Sequence, residues 1–163
     1  MTQIISLQYY GQLLTGMATE IQNRHHHMFK VVFDNDYENV FFTDVESGQW
    51  LEEDLGFTEL AREVGKQVKL VSGSLFHVPR MLTWHRQLIN DALISFGFFN
   101  YMKDKYKMYE IYHVNKKYLY TLVEMDNDEW QILGNNMQVL ENIDRDFVEQ
   151  VIQILPLYWA NSR

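Results

Sequence analysis

Apolar and polar positions change period several times along the chain, and each change predicts an element. Ile4 to Tyr10 and Leu13 to Ile21 are rich in β-branched and aromatic residues and read as strands, with Tyr10-Gly11-Gln12 turning a hairpin between them. Phe29, Val31 and Phe33 alternate with Lys30, Val32 and Asp34; a turn at Asn35-Asp36-Tyr37-Glu38 then returns the chain as a second strand, Asn39 to Asp44. Ser47-Gly48 turns it again into Gln49-Trp50-Leu51. Thr58 has the chemistry of an N-cap, after which Leu60, Ala61 and Val64 share one helical face as far as Gly65.

The second half reads as a helix, a meander and a helix. After Pro79, the residues Leu82, His85, Ile89, Ala92, Leu93 and Phe96 recur at helical spacing up to Gly97, which predicts a helix from Pro79 to Phe96. Met108 to Val114, Tyr118 to Met125 and Glu129 to Leu133 read as strands joined by turns at Asn115-Lys116 and Asp126-Asn127-Asp128. Asp144 then caps a helix with the apolar stripe Phe147, Val148, Val151, Ile152 and Leu155, which Pro156 should end. The expected fold is therefore α+β: two antiparallel β-meanders with helices at Thr58 to Gln67, Pro79 to Phe96 and Asp144 to Leu155 packed on one face.

A shift of 80 residues aligns Met28 with Met108, Phe29 with Tyr109, Val31 with Ile111, Asn35 with Asn115 and Trp50 with Trp130 without a gap. Only the Met, Asn and Trp are identities, so internal duplication and two unrelated meanders both account for the pattern. Residues 1–163 are accordingly expected to form one compact domain, built in the duplication reading from two pseudo-repeated lobes at about 1–70 and 71–163 around a pseudo-twofold axis.

Composition narrows the function classes. With 10 Phe, 10 Tyr and 4 Trp the chain has ample material for a core, and with no cysteine it excludes disulfides, thiolate metal sites and a cysteine nucleophile. Lys+Arg 14 against Asp+Glu 22 gives a net charge of -8, which disfavours nucleic acid and anionic membranes as partners. The first 23 residues hold no Lys or Arg and no apolar run long enough to span a bilayer, so a soluble cytoplasmic protein is expected.

Candidate chemistry is sparse. His25 and His27, on a strand, would face the same way and form the half of a metal site that Asp34, Asp36 or Asp44 could complete, although three adjacent histidines have no fixed ligand spacing and fit a solvated strand entry. The segments starting at Asp34 and Asp126 resemble calcium loops but lack the glycine at the sixth position and the glutamate at the twelfth, so they read as hairpin turns. His85 and His113 are expected as hydrogen-bonded core residues; His77 and Gly73-Ser74 sit in no phosphate or nucleophile motif. Glu52 and Glu53, being adjacent, face apart and do not form an acid-base pair.

Two surfaces stand out in charge. From Asp34 to Glu59 there are nine acids and no Lys or Arg, while from 98 to 120 Lys103, Lys105, Lys107, Lys116 and Lys117 interleave with aromatics such as Phe98, Tyr109 and Tyr118. Lys/aromatic segment 98–120 has the composition of a single-stranded nucleic-acid surface, and the two patches could also meet each other, between copies or within one chain. The expectation is a non-enzymatic interaction or ligand-binding module that self-associates, as a homodimer, or meets an unidentified protein partner, with no cofactor. The alternatives are a metal-dependent enzyme using His25 and His27, and single-stranded nucleic-acid binding.

Overall fold

The computed structural model describes residues 1–69 and 79–161. The first half is a five-stranded antiparallel meander, β1 (Thr2–Tyr9), β2 (Gln12–Glu20), β3 (Met28–Phe33), β4 (Glu38–Thr43) and β5 (Trp50–Glu52), in sequential order, followed by helix α1 (Glu59–Gln67). The second half runs β6 (Thr83–Ile89), β7 (Ala92–Lys103), β8 (Tyr106–Tyr112), β9 (Tyr118–Glu124) and β10 (Trp130–Leu133), also sequential, followed by helix α2 (Arg145–Asn161). This is an α+β architecture of two meanders.

Alternation decides which face each sheet buries. In the first sheet Ile5, Leu7, Leu14, Ala18, Phe29, Val31 and Phe41 point to Leu60, Ala61 and Val64 of α1 and form one closed core. In the second, Ile94, Phe96, Phe98, Tyr109, Ile111 and Leu122 point to Val148, Val151 and Leu155 of α2. Both helices start as their sequence requires: Thr58 Oγ1 accepts from the Ala61 N–H at 3.0 Å, and Asp144 Oδ1 accepts from the Asp146 and Phe147 N–H groups at 3.1 and 3.3 Å.

Three expectations are corrected. Pro79 to Phe96 is not a helix but the β6–β7 hairpin, turned by Asn90 and Asp91 at φ 50° and 63°. Its apolar residues recur at three and four positions, yet two consecutive left-handed residues of the Asn/Asp type are the chemistry of a two-residue hairpin turn. Gly97, expected as a helix stop, is a strand residue over which the Trp84 ring lies; a Cβ there would stand 2.9 Å from the indole. Pro156 lies inside α2 rather than ending it, and beyond it Tyr158 and Trp159 pack back on Phe98 and Tyr109. His77 and Gly73-Ser74 lie outside the described residues.

The order of five strands then a helix occurs twice, and turn geometry repeats at the same offset of 80. Phe33 N–H donates to Tyr37 O and Asp36 N–H to Phe33 O around a left-handed Asp36 at φ 67°. His113 N–H donates to Lys117 O and Lys116 N–H to His113 O around a left-handed Lys116 at φ 72°.

Candidate functional site

The sequence-marked histidines sit where the two halves meet. The β2–β3 connection is held by Asn23, whose Oδ1 accepts from the N–H groups of His25 and His26 at 2.8 and 3.1 Å. His25 and His27 therefore lie in the β2–β3 connection and not on a strand as expected. The His25 ring stacks on Tyr118 at 3.6 Å between centroids, and its Nδ1 is 3.5 Å from Glu110 Oε2. The His27 N–H donates to Thr43 Oγ1. Asp34 and Asp36 are exposed in their turn, and among the described residues no group of three or more His, Asp or Glu is arranged to hold a metal.

His26 is the buried member. Its Nδ1 lies 2.6 Å from the Thr43 carbonyl, to which it donates, so Nε2 accepts the Tyr118 N–H at 2.9 Å. Burial lowers its pKa to about 4, against the Thr43 carbonyl, which favours the charged form. Such a neutral, doubly bonded imidazole joins the halves.

Around it lies a carboxylate that sequence reasoning missed. Glu110 is 4% exposed and receives Arg80 Nη1 at 2.5 Å and the Tyr112 hydroxyl at 2.8 Å, besides His25. Burial by itself would raise the Glu110 pKa, but bonds from His25 and Tyr112 and the charge of Arg80 outweigh it and hold the group at about 2. The only local signal was an acid on a strand of otherwise buried apolar positions. The donors around it favour its ionised form.

The opposed charge patches meet within the chain. Lys116 Nζ lies 3.1 Å from Asp44 and 3.3 Å from Glu46, and Lys117 pairs with Glu53. Asp44, fully buried, also accepts from Ser47 Oγ and the Glu46 N–H. Glu52 is buried beneath Tyr37, Asn39 and the Thr58 hydroxyl, while Glu53 faces the second half, so the two acids stand apart as expected. Lys105 pairs with Asp126 and Lys107 with Glu124, and the rings of Phe98, Tyr109, Tyr112, Tyr118 and Tyr120 are buried while Phe99, Tyr101 and Tyr106 are half-buried. His85 is half-buried on β6, bonded to the Tyr158 hydroxyl; His113 is exposed in the β8–β9 turn, not in the core.

These contacts join unlike surfaces: residues 22–27, 43–46 and 53 of the first half meet residues 80–84, 110–118 and 135 of the second. The described contacts contain no reciprocal set, so a two-fold axis between the halves does not generate them. The rest of the surface offers a cavity of about 690 Å³ beside α1, lined by Trp50, Phe57, Arg62 and Lys66 among others, and a more open one of about 470 Å³ between Trp84 and Lys116. It also offers an open sheet face: Ile4, Leu13 and Met17 of β1 and β2 are 77%, 62% and 55% exposed. Among the described residues no helix is long and apolar enough to cross a membrane. Comparison with protein-family models, with curated proteins and with solved structures finds no match.

Proposed function

We propose that the protein is a non-enzymatic interaction module of the cytoplasm that works by associating with itself, its two halves being copies of one duplicated unit. The observation that carries the reading is the outer face of the β1–β2 hairpin, where Ile4, Leu13 and Met17 are exposed together on strands without a charged side chain from Thr2 to Thr19. In a chain of net charge -8, an uncharged apolar face is where a protein partner gains by burying surface. The saturation of Glu110, Asp44 and Glu52 by internal donors favours recognition over acid-base chemistry. The duplication is supported by the repeated element order and by the repeated left-handed turns at Asp36 and Lys116.

Sedimentation velocity of the full chain across a hundredfold concentration range tests the reading. A concentration-dependent shift from monomer to dimer is expected, and a monomer at every concentration counts against it.

A further inference from the structure

The registers of the two sheets place one row in each at the same position. In the first sheet Ile4 pairs with Met17 and Met17 with Val32; in the second Trp84 pairs with Gly97 and Gly97 with Tyr112. Each residue of the second row is 80 positions beyond its counterpart in the first. Their surroundings differ. Tyr112 is fully buried against the rings of His25 and His26, and the Trp84 indole N–H donates to Glu46 while its ring stays 40% exposed, so the first half of the chain covers the Tyr112 end of that row. The row Ile4, Met17 and Val32 is 77%, 55% and 41% exposed.

We propose that a second copy of this chain docks on the Ile4–Met17–Val32 row, face to face about a two-fold axis passing beside Met17. This rests on the self-association reading above and names its surface. Three observations select the occupant. The outer face of the first sheet leads at its other end to the junction of the halves, where Phe42 packs on His26 and the His26 ring accepts the Tyr118 N–H, and the open row continues that face. Two copies of an acidic protein repel, and the uncharged hairpin is where they approach without like-charge contact. The row is flanked by Lys30 and Glu38, 3.7 Å apart, so each copy offers both signs to the other, as a self-complementary patch requires.

A head-to-tail mode is disfavoured by the connections. The Tyr112 row is covered by the seven-residue β2–β3 connection, from Ile21 to His27, whereas β7 and β8 are joined by Asp104 and Lys105 alone. The second half has no matching arm to lay on the first-half row of another copy.

The chain has no cysteine, so a single introduced thiol reports its own surroundings. A disulfide needs Cβ atoms about 4 Å apart, and two identical residues come that close only beside a two-fold axis. Met17→Cys, oxidised with diamide at low micromolar concentration, is expected to run mainly as a disulfide dimer, with Leu88→Cys on the β6 outer face as the control that stays mainly monomeric. Ile4→Lys, an exposed change that leaves the circular dichroism unaltered, should weaken dimerisation at least tenfold in sedimentation. A wild-type dimer that Ile4→Lys leaves intact and in which Met17→Cys does not crosslink overturns the surface while self-association stands. A wild-type monomer at all concentrations overturns both.

Discussion

The Tyr118 N–H donates to His26 Nε2 at 2.9 Å, a bond between residues 92 positions apart that ties β9 of the second half to the β2–β3 connection of the first. Since Nδ1 serves the Thr43 carbonyl, the imidazole is neutral, and its protonation costs the Tyr118 bond. Burial depresses its pKa from 6.5 to about 4, with Asp44, His25 and Lys117 as its titratable neighbours. A depressed histidine contributes stability that is full above pH 6.5 and declines as the pH falls toward 4, by up to about 3 kcal/mol. Urea midpoints measured between pH 7 and 4.5 should fall accordingly, and His26→Gln, which can bond both neighbours without titrating, should flatten that limb.

Glu110 predicts a separate, more acidic limb. Held at about 2 against an ordinary 4.5, it stabilises the fold fully above pH 4.5, and the contribution is lost as the pH drops through 2. Glu110→Gln should remove part of the acid limb below pH 4.5 and leave Arg80 and Tyr112 with a weaker acceptor. The cost at pH 7 is expected at about 1 to 3 kcal/mol, the partial exposure of Arg80 keeping it below that of a fully buried pair. Chemical denaturation of the variant from pH 3 to 7 checks both the size and the window.

How much of this was legible follows from range. Alternation and Asn, Asp and Gly turns placed eight of the ten strands among the described residues, and Thr58 and Asp144 placed the starts of α1 and α2. The β6–β7 hairpin is hidden in the sequence because Leu82, His85, Ile89 and Phe96 also fit a 3.6-residue period, which masks the Asn90-Asp91 turn. At the candidate site, His25 to His27 were noticed for metal chemistry, but their use depends on Glu110, Thr43 and Tyr118, brought in by topology alone. Arg80 and Glu110 carry no local pattern that couples them. The Ile4–Met17–Val32 row exists only through register, which the Tyr10-Gly11 turn and the seven-residue β2–β3 connection set over 28 positions.

Gly65 tests the packing of α1 on β5. In a helix, Gly to Ala ordinarily stabilises by about 1 kcal/mol. Here a Cβ would lie 2.1 Å from Trp50 Cδ1, so the indole must leave the helix surface. Gly65→Ala is expected to lower stability by about 1 to 3 kcal/mol through this overpacking. In a Trp50→Ala background the same change should turn stabilising, a reversal of sign that a double-mutant cycle in urea resolves.

Asp91→Gly separates the hairpin from the helix that the apolar spacing suggested. Asp91 sits at φ 63°, after Asn90 at 50°, in the two-residue connection between Ile89 and Ala92. There glycine removes the left-handed penalty and completes the favoured Asn-Gly pair, so the variant should gain about 0.5 to 1 kcal/mol. In the interior of a Pro79 to Phe96 helix the same substitution would lose a few tenths of a kcal/mol or more, since glycine ranks below aspartate in helix propensity. The sign of the shift in the urea midpoint thus decides between the two geometries, and a second change, Asn90→Val, should lower it, because a β-branched side chain is strained at positive φ.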